Sequence, residues 1–287
     1  MSDTEEVPLV VEQFLQQISE ELASGPLNLP CFPGVVSRVR QAITNPKSTA
    51  EDIVRVAGTE PRLSARLIQT ASSSIFNPTG VPLTNLRQAV TRLGNSLVQS
   101  VTMAFAMQQM KADSSLRAVA EPLSRLWEKS IAVASICQVL ARRLGVPPDK
   151  VFLTGLLHGI GHFYILVRAA SVSDGMPYET AVRDFIADWH PELGRAVLES
   201  WGFEQIMCDA VGHQNRYERT PHPNADITDV VIVSVALAEV LLERAGDRTL
   251  LSGINALQSL KLSEQDINLI LTHTEHNLSA LREVLLG

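Results

Sequence analysis

Apolar residues recur at helical spacing along almost the whole chain, and this periodicity constrains the fold more than any other feature. Near the start, Val10, Phe14, Ile18 and Leu22 fall on one face of a helix predicted over 9–23. Strands would show apolar and polar residues in alternation, or β-branched runs between hairpin turns, and neither pattern competes here. The sequence therefore predicts an all-α protein.

Capping and breaking residues divide this pattern into separate helices. Ser48 and Glu51 are spaced as a capping box for a short helix that runs to Ala57. Pro61 then begins the next helix, since its missing N–H costs nothing in a first turn. Further helices are predicted at 84–92 (capped by Thr84), 96–110, 123–144, 150–169, 178–188, 191–201, 204–213, 226–245 and 263–286 (capped by Ser263 and Asp266).

Residues 111–121 are more polar than the segments around them and divide the chain into two halves. The preceding helix, 96–110, is apolar on most sides, as expected of an interior helix. The chain of 287 residues is long enough for two helical units. We place the boundary after residue 114, so that 1–114 and 115–287 form two packed helical subdomains.

The charge balance argues against broad nucleic-acid binding. Lys and Arg number 24 against 31 Asp and Glu, a net charge of −7, whereas sequence-independent binding needs clustered positive charge. A local basic face would have to come from scattered arginines, namely Arg38, Arg40, Arg142, Arg143 and Arg168. We expect such side chains to be solvated or ion-paired, so that nucleic acid is not a partner.

Cysteine use and hydropathy predict a protein of the reducing cytoplasm. The three cysteines are far apart and odd in number, which indicates neither a disulfide framework nor a thiolate zinc site. Residues 1–6 are acidic and polar, unlike a signal peptide. The most apolar window, 230–242, is too short and too interrupted to span a membrane, so no membrane partner is expected.

Histidines in the second half are the most informative candidates for chemistry. His158 and His162 are four residues apart, the spacing by which two imidazoles on one helix can grip a metal. The glutamate that a helical zinc protease places after its first histidine is absent, because Gly159 stands there. Buried histidines satisfied by hydrogen bonds are the structural alternative to ligands.

Several motifs together resemble one family. Residues 154–161, TGLLHGIG, resemble the LLHDIG signature of the HD superfamily of metal-dependent phosphohydrolases. Residues 190–194 (HPELG) and 212–214 (GHQ) follow in an order similar to the HDOD domain, the HD-related output domain of bacterial signalling proteins. In the first half, LPCFP at 29–33 and TEPRLSARL at 59–67 resemble HDOD elements. The resemblance covers about 27–242.

This resemblance implies an HDOD-specific first half, 1–114, and an HD-like helical bundle in 115–287. It also implies that the metal-ligand set of the HD enzymes is degenerate, because Gly159, Lys129 and Gln214 stand where ligands are expected. Any retained metal would fall to His158, His190 and His213. The expected cleft of this degenerate site consists of Lys129, His158, Gly159, His190, His213, Gln214 and Glu239.

Three functions follow as hypotheses. The first, which we favour, is a non-catalytic output or regulatory module of a bacterial two-component or related pathway, without metal or cofactor, acting through a signalling protein partner or a small ligand. The alternative is a residual metal-dependent phosphohydrolase acting on a nucleotide or cyclic dinucleotide. The third is a nucleic-acid or nucleotide binder without catalysis. Segments 29–33 and 77–80 are the candidate partner surfaces, near the junction of the halves.

Overall fold

Helices make up all the regular secondary structure of the residues described by the computed structural model, which are 9–24, 34–73, 76–77, 80–81, 83–111, 113–171, 181–221, 223–242 and 248–286. In these ranges there is no strand, and the all-α prediction is confirmed. The α-helices are α1 (Leu9–Ser24), α2 (Gly34–Thr44), α3 (Ala50–Ala57), α4 (Pro61–Ser72), α5 (Leu86–Lys111), α6 (Ala120–Leu144), α7 (Pro148–Leu157), α8 (Ile160–Ser171), α9 (Ala181–Ser200), α10 (Gln205–Gly212), α11 (Ile227–Leu242), α12 (Ala256–Ser259) and α13 (Glu264–Leu286). Two 3₁₀ helices, Ser114–Val119 and Thr249–Gly253, connect them.

Local capping chemistry sets several helix ends, in two places one residue away from the prediction. The capping box of α3 is formed by Thr49 and Asp52, not by Ser48 and Glu51. Thr49 has extended backbone angles and its side chain accepts from the Asp52 N–H, which fixes the start of the helix there. At α5, the Asn85 side-chain oxygen accepts from the Gln88 N–H, so the cap is Asn85 and lies one residue after the predicted Thr84.

Other predicted ends are confirmed. Pro61 begins α4, and Ser263 and Asp266 make a reciprocal cap at α13. Gly94 interrupts α5 with a φ of 70° and a ψ of 171°, backbone angles that favour glycine, so 84–92 and 96–110 are separate helical segments as predicted.

Two predictions in the second half are wrong. The helix predicted over 150–169 is broken at His158 and Gly159 into α7, which packs on α6, and α8, which packs on α9. Conversely, 178–188 and 191–201 are not two helices, because α9 runs through Pro191 from residue 181 to 200. A proline removes one backbone hydrogen bond, and the packing of α9 against α8 and α10 outweighs that loss.

A single cluster of buried apolar side chains joins the two halves of the described chain, from Phe14 in α1 to Leu281 in α13. The last helix, α13, contacts α4 and α5 of the first half and α6 of the second. Helix α1 of the first half likewise packs against α9 of the second. The Phe14 and Phe185 rings contact each other edge to face there, with their centroids 6.3 Å apart. The subdomains therefore share one core, and the boundary after residue 114 stays a prediction.

Segment Pro148–Ser171 is long and apolar enough to cross a membrane by length and composition. Within the protein, 89% of its most apolar window is buried. It comprises α7 and α8, which pack between α6 and α9. Burial of this kind is typical of core helices.

The approach of α8 to α9 requires glycine. A Cβ atom at Gly161 would lie 2.0 Å from the His190 carbonyl oxygen and 2.5 Å from the Gly194 nitrogen, both of which are backbone atoms. This contact explains why residue 161 is a glycine. Since α8 carries His162 and α9 carries His190, this contact also fixes the distance between the two imidazoles.

We expect Gly161→Ala to destabilise the protein by about 3 kcal/mol or more, because the clash is with backbone that cannot move aside. Urea denaturation followed by far-ultraviolet circular dichroism measures the effect. Gly253→Ala is the matched control, since a Cβ there has nothing within 4 Å. Equal stability of the two variants would contradict the close approach of α8 and α9.

Candidate functional site

A cavity of about 440 Å³ opens between α6, α8, α9 and α11. The turn between α7 and α8 and the residues that follow α10 complete its wall. The lining residues are Pro122, Arg125, Leu126, Lys129, His158, Gly159, His162, Ala187, His190, Gln214, Asn215, Tyr217, Val235 and Glu239. This cavity brings together six of the seven residues expected in the cleft, all except His213.

His213 lies outside the cavity. It ends α10, and its side chain is surrounded by the charges of Glu192, Arg195, Asp209 and Arg216 instead. Partial burial there lowers its pKa. The helix ends just before it, so that the next side chain, that of Gln214, turns inward and is fully buried. The proposed set of His158, His190 and His213 is therefore not assembled.

His162 takes part in the cavity in place of His213. Its ring centroid lies 6.1 Å from that of His190 on α9. The spacing of four residues from His158 was the signal in the sequence, although His158 lies in the turn after α7 and His162 lies on α8, rather than both on one face of a continuous helix. Three imidazoles, those of His158, His162 and His190, thus line the cavity.

A lysine and a glutamate form an ion pair in the cavity wall. The Lys129 Nζ atom on α6 lies 2.6 Å from Glu239 Oε1 on α11. Both side chains are about one-third exposed, at 29% and 33%. The pair joins residues that are 110 positions apart in sequence. A charge-assisted hydrogen bond of this length is strong, and it holds α6 and α11 at the cavity.

His158 and Gln214 are held by backbone hydrogen bonds. The His158 ring is 2% exposed, and its Nδ1 atom lies 2.8 Å from the Gly155 carbonyl oxygen. A neutral imidazole carries one N–H, so this contact places it on Nδ1 and leaves Nε2 as an acceptor. The Gln214 Nε2 group donates to the carbonyl oxygens of His158 and Val211, at 2.9 and 2.8 Å. Gln214 thereby ties the end of α10 to the turn after α7.

The three imidazoles are neutral at neutral pH. Burial, followed by the charge of Lys129, lowers the pKa of His158 to about 3 and that of His162 to about 4. Burial, followed by the neighbouring His162 and His158 and by Lys129, lowers the pKa of His190 to about 3. Lys129 contributes to the lowering at all three rings, and it lines the same cavity.

Three buried polar atoms in the cavity wall have no hydrogen-bond partner among the described residues: His162 Nε2, His190 Nδ1 and Gln214 Oε1. The other ring nitrogen of His190 lies 3.4 Å from the Asn215 Nδ2 atom. Buried polar atoms without partners are costly, and they concentrate where a protein meets a ligand or water. These atoms make the cavity the candidate functional site.

The residues of the cavity do not fit the divalent metal of the HD enzymes. At Gly159 the space for a larger side chain is occupied, because a Cβ there would lie 2.7 Å from Leu126 Cδ1. Lys129 adds a positive charge where a cation would need anionic or neutral donors. In the described part of the chain, no group of three or more histidine, cysteine, aspartate or glutamate side chains is arranged to hold a metal ion.

Most of the arginines considered for nucleic-acid binding make contacts within the protein. The Arg40 guanidinium lies over the Trp201 ring at 5.4 Å, and Arg168 is ion-paired with Glu21. Arg38 donates to the Thr59 hydroxyl at 3.4 Å. Arg142 is exposed on α6, and the side chain of Arg143 lies outside the described residues. Structural contacts thus engage three of the five.

In the described residues, an all-helical fold with a cavity lined by histidines defines the class of protein. The HDOD domain model matches residues 29–217. That is about two-thirds of the chain, and the protein belongs to the HDOD family. A search of curated proteins returns no match.

Solved structures share the fold. A Shewanella amazonensis protein, provisionally described as a metal-dependent phosphohydrolase, has a TM-score of 0.71 at 24% identity, over 95% of this chain and 99% of its own. An HDOD domain protein of unknown function from Geobacter sulfurreducens has a TM-score of 0.59 at 22% identity, over 96% and 98%. A Marinobacter aquaeolei protein, provisionally described as a signal transduction protein, has a TM-score of 0.58 at 19% identity, over 96% of this chain and 65% of its own. At these identities the similarity shows the fold alone.

The lowered pKa values predict that stability falls as the pH drops below neutrality. Each histidine has a folded pKa below its unfolded value near 6.5, so unfolding takes up protons between that value and about 3 to 4. Stability is fully present above about pH 6.5 and decreases below it, by about 1.4 kcal/mol per pH unit for each histidine. Urea denaturation at about pH 7 and about pH 5 measures the slope.

His190→Asn is expected to reduce this pH dependence by the share of one histidine. The variant has a polar amide in place of the imidazole, and that amide does not titrate. Imidazole ¹⁵N chemical shifts provide an independent readout, and they are expected to report neutral rings at about pH 5. Titration of the three rings near their ordinary pKa of about 6.5 would contradict their burial beside Lys129.

Proposed function

We propose that the protein is a non-catalytic output or regulatory module of HDOD type in a cytoplasmic signalling pathway, of the bacterial two-component kind or one related to it. It acts through a protein partner or through a small ligand in the cleft. The observation that carries this proposal is the Lys129–Glu239 ion pair at 2.6 Å inside the cavity. A tethered cation thus stands at a position where the resemblance to the HD enzymes implies a metal ligand.

Loss of the metal removes the chemistry for which the HD cleft is built. A divalent ion would supply a Lewis acid and an activated water for phosphate-ester hydrolysis. The Lys129 ammonium supplies positive charge, but it has no lone pair and no open coordination position. Glu239, which would otherwise be an anionic donor, is engaged with it. The wall of the cavity can hold a ligand without activating water.

The remaining polar groups have structural contacts consistent with this role. His158 bonds the backbone of α7 through Gly155, and Gln214 bonds the backbone on both sides of the cleft. Fixed in this way, the two side chains stabilise the shape of the cavity. A preformed cavity is suited to recognition. Because α6, α8, α9 and α11 all line it, binding of a ligand can affect the packing of these four helices together.

The comparisons are consistent with a signalling role. The Marinobacter relative is provisionally described as a signal transduction protein. For contact with a signalling protein, we propose the region of the 77–80 loop. Val81, directly after this loop, is an apolar side chain that is 55% exposed. Residues 29–33 and 78–79, which complete the predicted partner surfaces, lie outside the described residues.

The alternative function is a residual metal-dependent phosphohydrolase acting on a nucleotide or cyclic dinucleotide. The three neutral imidazoles around the cavity favour it, since neutral imidazole is a common metal ligand. The Shewanella relative is provisionally described as a metal-dependent phosphohydrolase. The position of Lys129 among these imidazoles weighs against it.

We expect no hydrolysis of bis(p-nitrophenyl) phosphate, nucleoside phosphates or cyclic dinucleotides when Mg²⁺, Mn²⁺ or Zn²⁺ is added. The measurement is product release followed by chromatography, at enzyme concentrations high enough to detect single turnovers. His158→Ala is the control for contamination, because an unrelated hydrolase in the preparation would act equally in both samples. Turnover by the wild-type protein that is lost in His158→Ala would establish the phosphohydrolase instead.

A further inference from the structure

We propose that the cavity binds a small molecule through a single anionic group, a carboxylate or a phosphate monoester, and that Lys129 is the group that holds it. This assignment rests on the proposed function and names the class of ligand that the cleft would take. In this assignment, the Lys129 ammonium attracts and binds the anionic group, as a bound metal ion would, but it does not activate water.

Lys129 has unused capacity to bind an anion. An ammonium group has three N–H donors, and in the described residues only the carboxylate of Glu239 accepts from this one. The side chain is 29% exposed and lines the cavity, so that a molecule entering from solvent can reach it. The remaining donors allow an incoming anion to contact the ammonium before Glu239 leaves it.

A histidine supplies a further donor at the same place. The Asn215 Nδ2 amide group lies 3.4 Å from His190 Nε2, and an amide nitrogen donates, so the ring proton of neutral His190 lies on Nδ1. That Nδ1 atom is buried and has no partner among the described residues. An oxygen of an anionic ligand would satisfy it together with Lys129. In the same cavity wall, Gln214 Oε1 is an acceptor without a partner among the described residues, and it suits an N–H or O–H of the same ligand.

The charges of the wall set the charge of the ligand. Its charged side chains are Arg125, Lys129 and Glu239, and its imidazoles are neutral. Arg125 pairs with Glu121 at 2.6 Å, and both are mostly exposed, so its contribution is screened. Lys129 therefore supplies one positive charge to a ligand once Glu239 turns away from it. One positive charge matches one anionic group. It does not match the several charges of a polyphosphate or a cyclic dinucleotide.

Glu239 competes with the ligand for Lys129. Its carboxylate occupies the ammonium in the free protein, and its 33% exposure lets it turn toward solvent when another anion arrives. Binding would therefore break the only described side-chain bond between Lys129 on α6 and Glu239 on α11. This exchange predicts opposite effects for the two halves of the ion pair, which distinguishes it from general electrostatic attraction.

The test is a titration of the 287-residue chain with inorganic phosphate and, separately, with acetate, followed by calorimetry and by the imidazole ¹⁵N shifts of the cavity histidines. We expect saturable binding of at least one probe. Lys129→Met should weaken it by about tenfold or more, whereas Glu239→Gln should strengthen it by removing the competing charge. Tighter binding of phosphate assigns the ligand as a phosphate monoester, and tighter binding of acetate assigns it as a carboxylate.

Lys150→Met is the matched control. Lys150 is also 29% exposed and pairs with Glu204 at 2.6 Å, but it lies outside this cavity, so its replacement should leave binding unchanged. Equal binding by Lys129→Met, weaker binding by Glu239→Gln, or no saturable response to either probe would overturn the assignment. Those results would leave a non-catalytic module that works by protein contact, whereas metal-dependent turnover in the same samples would overturn the proposed function itself.

Discussion

The backbone contact between α8 and α9 is the constraint on which the site depends. Gly161 lies so close to the His190 carbonyl and to Gly194 that no side chain fits between them. This contact fixes His162 and His190 on facing helices, with their rings 6.1 Å apart. Just before α8, the turn at His158 and Gly159 changes the direction of the chain, so that α7 packs on α6 and α8 packs on α9. The cavity is the space that these close packings leave open.

Electrostatics then decide what this space can do. Lys129 lies near three imidazoles that burial already keeps neutral, and it pairs with Glu239 across the cleft. The same ammonium therefore stabilises the contact between α6 and α11. Its charge also disfavours protonation of the histidines and the binding of a second cation. In the function that we propose, an HD-like bundle with a fixed cation keeps the cleft and its polar wall, and its chemistry changes from catalysis to binding. The HDOD family to which the chain belongs is the context for this change.

Much of this architecture could be predicted from the sequence, because helical periodicity and helix-breaking residues are local. The errors arose where tertiary packing overrides local signals. Pro191 lies within α9 because packing on both faces outweighs one lost hydrogen bond. At the cleft, the sequence order indicated His213, but the end of α10 directs Gln214 inward instead. The Lys129–Glu239 pair spans 110 residues, and only the fold shows that the two side chains meet.

The central claim is that the cation of this cleft is the side chain of Lys129. Elemental analysis of the protein purified without chelators, with Mn²⁺, Fe²⁺ and Zn²⁺ available during expression, tests it most directly. We expect no stoichiometric metal in the wild-type protein, because the Lys129 ammonium, paired with Glu239, stands at an expected ligand position. One divalent ion per chain, lost in the His158→Ala variant, would contradict it.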